Sequence, residues 1–446
     1  MRSSHSLDAM NVMFDDEHLV ADAGLILPAT LAQHLGLREL FDEHVDLGTA
    51  AGHAHVGDKA MTIIHSALAA GDSIDDCDAL RAGSTAAVLG HTVLAPSTIG
   101  TFLRSFSWGH ARQIDRVANE LLRRAWAAGA GPGEGPVTID IDSSIHETYG
   151  LQKQGGAKFT HVKGVRGYHP LYAHIAGTGD VVHCRLRGGN AHTGRDAAGF
   201  ITETVNRVRN AGATGPLTLR ADSGYYSGKV TTACRAAAVA YSITVKQNPA
   251  VRTAITAIAD DAWTPIPYWL DDGADVAETT YQPFGPKAPI VRLIVRRVRP
   301  TPGSQLALFT EWSYHALITD RAGDTLDLEA DHRRHAVIEA TIRDLKYGVG
   351  LNHFPSGRFG ANAAWLGLNV IAHNLARWTT RLGLATPETT TPAIIETGTL
   401  RRRYLRVPAR ITRSARQHTL HLPTHWPRAP QFTTALARLR ALPLVI

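Results

Sequence analysis

Along the first 130 residues, apolar positions recur at helical spacing. In APSTIGTFLRSF, Ile99, Phe102, Leu103 and Phe106 stand at i, i+3, i+4 and i+7, which predicts a helix capped by Ser97 or Thr98, with Thr101, Arg104 and Ser105 on its outer face. A second helix, about 111–128, would bury Ile114, Val117, Leu121 and Leu122. Such a pair can be a helix-turn-helix-like unit that reads DNA or plain packing. The glycine- and proline-rich run 129–136 reads as a linker.

Beyond the linker the period changes from 3.6 to 2. VTIDID (137–142) puts Val137, Ile139 and Ile141 on one face of a strand and Thr138, Asp140 and Asp142 on the other. Residues 169–189 predict a hairpin turning at 177–180, and a helix at about 199–211 carries Ile201, Val205 and Val208. LTLRAD (217–222) repeats the first strand's pattern, with Thr218, Arg220 and Asp222 opposite Leu217, Leu219 and Ala221. From about 248 to 302, prolines, aromatics and β-formers predict a β-rich insertion that rejoins the main domain through a strand at 310–320. DHRRHAVIEATIRDLKYG (331–348) predicts one helix. Its apolar stripe is Val337, Ile338, Ile342 and Leu345, and His332, His335, Glu339, Arg343 and Lys346 run along another face. In a further helix, about 360–380, Asn362, Asn369 and His373 form a polar stripe suited to hydrogen-bonding neighbours.

At 446 residues, two or three domains are expected, and 44% hydrophobic with 19% charged residues is ordinary for a soluble globular chain. Cys77, Cys184 and Cys234 include no CxxC pair, which disfavours a zinc ribbon or disulfide scaffold. The start of the chain lacks an export signal, and no run reaches the roughly 18 apolar residues of a membrane span. A cytoplasmic protein with no membrane partner is expected. After Glu396 there are ten arginines and no acidic residue, so the first 396 residues hold 36 basic against 40 acidic groups. The basic excess lies in a tail able to contact a phosphate backbone.

Two carboxylates on one strand face repel each other and are costly to desolvate. Asp142 ends one strand, Asp222 ends another, and Glu339 lies on a later helix. If the three converge, the natural counter-charge is magnesium, a hard cation that takes oxygen ligands, and two such ions about 4 Å apart suit phosphoryl displacement. Asp140, about 7 Å back along its strand, is an alternative ligand or a residue bound to a loop or a neighbouring base. Ser143-Ser144, where the strand turns away, favour Asp142.

The elements TIDIDSS, GYHPL, RGGN, LRADSGYYS and the E-x6-K helix leading into LKYGVGLNHFPSGRF resemble the DDE transposases of bacterial insertion sequences, within them the group IS1380, related to the IS4-like set. The likeness spans about residues 25–385. It implies an α/β protein with an RNase H-like catalytic core interrupted by a β-rich insertion. The implied divisions are a helical DNA-binding domain at 1–130, the core at 131–247 and 310–390, the insertion at 248–309, and a basic C-terminal tail at 391–446. It further implies Asp142, Asp222 and Glu339 as catalytic metal ligands for Mg2+, with Mn2+ as substitute. The implied partners are double-stranded DNA, as terminal inverted repeats and target, and a second copy in a synaptic homodimer, all at the bacterial nucleoid. In the related signature Y-x2-R-x3-E-x6-K, Glu339 and Lys346 match, while His332 and His335 replace the tyrosine and arginine. With Arg343, and with Lys163 and Arg166 on the acid-free loop 149–170, these are the expected DNA contacts. Trp263, Trp269 and Trp312 are candidates to stack on a flipped base. Two rivals stand: a relative that binds DNA without cutting, and a zinc hydrolase built from His161, His169, His174, His183 and His192, whose spacing fits no compact ligand set.

Overall fold

Strict alternation at 137–142 builds an interior strand, third of nine, in a mixed sheet, β1 (Val137–Ser143). The computed structural model describes residues 7–50, 52–267, 273–300, 312–385 and 394–445. The expected hairpin is β2 (Leu171–Ile175) and β3 (Val181–Arg185), with β2 antiparallel to β1. On the other side, β4 (Leu217–Ala221) and then β5 (Ala240–Thr244) run parallel to β1. Helix α1 (Ala197–Asn210) precedes β4, and α2 (Gly228–Ala236) joins β4 to β5. The sequence pattern did not predict α2 and β5, whose short apolar runs carry no clear period.

The expected insertion is not a separate sheet. A small strand, β6 (Thr264–Pro265), is followed by β7 (Ala274–Tyr281), β8 (Val291–Val298) and β9 (Ser313–Thr319), and β9 pairs antiparallel with β5. The sheet order is therefore β3-β2-β1-β4-β5-β9-β8-β7-β6. A small apolar cluster of Ile266, Ala274, Val276, Ile294, Leu317 and Leu328 supports the outer strands.

The helix expected at 331–348 is in fact two, α3 (Thr325–Arg333) and α4 (Val337–Gly348), separated by a 3-10 turn at Arg334–Ala336. The break changes the helical phase. Ile338, Ile342 and Leu345 are buried as expected, but Val337, the first residue of α4, is 42% exposed. Then α5 (Phe359–Trp378) runs through the interior, buried nearly all round. Its polar stripe finds partners: Asn362 Nδ2 donates to Tyr168 Oη at 2.8 Å, Asn369 Nδ2 to Trp365 O at 2.8 Å, and His373 Nε2 meets Gly179 O at 3.2 Å.

Against α5 pack the helices Pro96–Arg104 and Trp108–Ala125, with Ile99, Phe102, Leu103, Ile114, Val117, Leu121 and Leu122 buried. The first helix starts at Pro96 after Ala95, ahead of the expected Ser97 or Thr98 cap, because proline's missing N–H costs nothing at the first helical position. One apolar core runs on from Val20 through these helices and the sheet to Leu439.

The C-terminal residues expected as an extended tail are folded back onto the start of the chain. Ala409–Ser414 and Gln417–His421 form a ribbon whose Ala409 and Arg410 pair with Val20 and Leu19, and the helix Ala429–Arg440 packs on Ile26–His34. Arg401 is buried and donates to Leu68 O at 2.7 Å, Ala67 O at 2.9 Å and Gly348 O. Arg402, Arg403, Arg406, Arg413 and Arg416 remain exposed. Among the described residues, no helix is long and apolar enough to cross a membrane.

Arg401→Leu should therefore cost about 1–3 kcal/mol for each carbonyl left unpaired, read as a lower urea midpoint, while exposed Arg402→Leu should stay within about 0.5 kcal/mol of the parent. Equal midpoints for the two variants would contradict the structural assignment of Arg401.

Candidate active site

The register of the three central strands decides where the acids go. Asp140 pairs across β1 with His174 on β2 and with Arg220 on β4, and all three are buried. Arg220 grips Asp140 with two bonds, Nε to Oδ1 at 2.7 Å and Nη2 to Oδ2 at 2.8 Å, and His174 Nε2 meets Oδ2 at 3.1 Å. Burial alone would raise the Asp140 carboxyl, but the bonds from His174 and Arg220 outweigh it and hold the pKa below its usual value. The expected neighbouring base is Arg220, which commits Nε and Nη2 to Asp140.

Two residues on, the environment reverses. The last parallel pair is Ile141 with Ala221, so Asp142 and Asp222, each one residue further, stand at the same level, Asp142 still paired with Tyr172 on β2 and Asp222 just past the end of β4. Ser143 N donates to Asp142 Oδ1 at 2.6 Å, and Gly224 N donates to Asp222 Oδ1 at 2.9 Å as Asp222 caps a 3-10 turn. Glu339 lies exposed in the first turn of α4. That helix is tied to the same strand end by His335 Nε2 to Ile141 O, 3.2 Å, and by Lys346 Nζ donating to Ile145 O, 2.8 Å.

Burial pushes Asp142 up to about 7, and repulsion from Asp222 and Glu339 adds to it against the single Ser143 bond. Three acids nearly two hundred residues apart thus share one electrostatic environment. All are hard oxygen donors, and beyond the two amide contacts just named no hydrogen bond or ion pair engages them among the described residues. This donor set fits a divalent hard cation. It is not closed into a ready chelate: among the described residues, no group of three or more His, Cys, Asp or Glu is placed to hold an ion.

The expected DNA contacts fare unequally. His332 is bonded to the sheet. Its two ring nitrogens meet Ser242 Oγ at 2.8 Å and Thr244 Oγ1 at 2.9 Å, and burial drops its pKa to about 3, so it packs α3 on β5 as a neutral ring. His335 is half-buried against the strand end, and burial lowers its pKa as well. Lys346 spends its ammonium on a backbone carbonyl. Arg343 is exposed and pairs with Glu396 at 3.0 Å. Lys163 is exposed, while Arg166 covers the Phe159 ring at 4.3 Å. Trp263 and Trp312 each lie 4.3 Å from the Arg297 guanidinium, and Trp269 is outside the described residues. The hairpin histidines serve packing: His183 bonds Thr204 Oγ1 at 2.9 Å and stacks on Phe200, and His169 bonds Ala191 O at 2.8 Å. Among the described residues, no zinc set is assembled from them.

The roles of four residues here were missed in the sequence. Arg220 could have been found, because aligning Asp142 with Asp222 at two parallel strand ends sets Asp140 opposite Arg220. His174 and Thr341, whose Nδ1 and Oγ1 meet at 3.1 Å, and Tyr225, whose phenol is raised by burial and by Asp142, carry no such local signal.

The family model of the transposase DDE domain, group 1, matches residues 3–444. The chain belongs to that family. No curated protein matches this DDE transposase family member. A solved piggyBac transposase synaptic complex with hairpin DNA is similar over 86% of this chain and 80% of its own, at 11% identity and a TM-score of 0.45.

The raised Asp142 carboxyl sets a pH dependence. Unfolded, it ionises near 3.8; folded, near 7. Between these values the unfolded chain has released a proton that the native state still holds, so this contribution to stability falls as pH rises. In chelator, Asp142→Asn should match the parent at pH 4 and melt higher at pH 8, by about 1.4 kcal/mol for every tenfold by which folding tightens the carboxyl's hold on its proton. A variant no more stable than the parent at pH 8 would remove the strained carboxylate.

Proposed function

We propose that this chain is a metal-dependent transposase that cuts at the ends of its own element and joins them to target DNA, with an RNase H-like core of the IS1380 kind. One observation carries the reading: Asp142 and Asp222 stand at one level of paired strands, and Asp142 feels the charges of Asp222 and of Glu339 on α4, in a chain that belongs to a DDE family. The order β3-β2-β1-β4-β5, with acids at the same level of β1 and β4, supports the RNase H-like assignment. Mg2+, or Mn2+ in its place, would be held by Asp142, Asp222 and Glu339 and would supply Lewis-acid stabilisation of the phosphodiester.

The protein's own part is placement. Asp142 is poised to ionise near neutral pH, and its amide contact through Ser143 and that of Asp222 through Gly224 leave the remaining carboxylate oxygens for the site. Lys346 and His335 hold the Glu339 helix against the end of β1, and on this reading that anchorage would bring Glu339 to the two aspartates. Water is the first nucleophile and the freed 3′-hydroxyl the second, at one site, so no covalent protein intermediate is required. Double-stranded DNA would run past Lys163, Arg343 and the exposed arginines of the C-terminal ribbon, two copies holding two ends in a cytoplasmic, nucleoid-bound complex. The reading of a relative that binds without cutting draws on the neutral, half-buried His332.

With a duplex ending in the element's terminal repeat, purified protein should nick in Mg2+, and Asp222→Asn should bind the duplex undiminished but nick at least about 10³-fold more slowly. Wild-type cleavage by Asp222→Asn would remove the triad, and no nicking by the parent protein would favour the non-cutting relative. Deleting residues 397–446 would strip the core, so the salt test uses side chains: Arg402, Arg403 and Arg406 to alanine together should flatten the log–log salt slope of binding by about 0.9 for each phosphate no longer neutralised. An unchanged slope would take DNA off that surface.

A further inference from the structure

Behind the acids lies a buried polar network that the cutting chemistry does not use directly. Asp140, His174, Arg220 and Thr341 are each at most 3% exposed. From Asp140 two arms reach the helices that present Glu339. One passes through His174: its Nε2 meets Asp140 Oδ2 at 3.1 Å and its Nδ1 meets Thr341 Oγ1 at 3.1 Å, two residues past Glu339 on α4. The other passes through Arg220, whose Nη1 donates to the backbone carbonyl of Asp331 and to its Oδ1 at 3.1 Å, in the last turn of α3. Asp331 is fixed in turn by Arg321 Nη1 at 2.5 Å.

We propose that Asp140, His174, Arg220 and Thr341 are positioning residues that set the spacing of Asp142, Asp222 and Glu339, an inference that rests on the transposase reading above. Asp140 and Arg220 stand two residues before Asp142 and Asp222 on paired strands, so the bidentate bond fixes the level at which both aspartates emerge. A slip of one residue would send one of them to the opposite face of the sheet. The two arms then fix α3 and α4 to the same carboxylate, which sets where Glu339 stands. Apolar side chains of similar volume could fill this space with equal or better stability. What they could not supply is directional bonds from one point to both strands and both helices.

Thr341 separates positioning from folding, because Thr341→Val keeps the shape and removes only the hydroxyl, while Thr341→Ser keeps the hydroxyl. Binding of Mn2+ to the full-length protein, followed by electron paramagnetic resonance without DNA, reads the spacing of the acids directly. The parent should bind Mn2+ in a manner abolished by Asp142→Asn. Thr341→Val should bind it about 10-fold or more weakly, with end-DNA binding unchanged, and Thr341→Ser should recover most of the affinity. His174→Phe, which has no ring nitrogen for either bond, should lose affinity as Thr341→Val does. If Thr341→Val binds Mn2+ as the parent does, or Thr341→Ser is no better than Thr341→Val, the positioning role is overturned while Asp142-dependent binding leaves the transposase reading intact. If the parent itself shows no Asp142-dependent Mn2+ binding, both fall together.

Discussion

The bidentate bond between Asp140 and Arg220 is the constraint on which the rest of this architecture turns. It lies between neighbouring parallel strands in the middle of the sheet, beyond the reach of water and salt, where a misplaced charge would be far costlier than a misplaced methyl group. Because the two side chains must meet, the register of β1 against β4 is fixed. Because it is fixed, the next outward-facing residues on that side, Asp142 and Asp222, emerge side by side. A paired carboxylate thus holds two unpaired ones in place.

The difference between Asp140 and Asp142 shows how strongly environment divides chemically identical groups. They share a strand and a face. Asp140, with two basic partners, is held ionised; Asp142, with one amide and two acids for company, is pushed up to about 7. How readily each carboxyl ionises follows from what stands opposite, not from the residue type. The helix bearing Glu339 is held by the same region through His335, Lys346 and Thr341, so the repulsion among the three acids is opposed by bonds that do not involve them.

Much of this was legible in the sequence because it rests on local periods. The alternation in TIDID and LTLRAD fixed which acids share a face, and the helical spacing at Ile99–Phe106 and 111–128 found the N-terminal helices. Long-range pairing left no such trace. The strands expected as an insertion join the main sheet through β5, which no sequence period announced. The arginine-rich end of the chain reads as a solvated tail, yet Leu400, Tyr404, Leu405 and Phe432 anchor it in the core and Arg401 satisfies buried carbonyls. At 331–348 a single amphipathic period concealed a 3-10 break, which turned Val337 outward and left His332 on the preceding helix, bonded to β5. Composition reports which residues are charged, and only the fold decides which of those charges face water.

A crystal soaked in Mn2+ and read by anomalous scattering tests the central claim most directly. The account predicts a peak at the common end of β1 and β4, with carboxylate oxygens of Asp142, Asp222 and Glu339 all in contact with it. A peak held by other residues, or none at that place in crystals that take up the ion elsewhere, would contradict it.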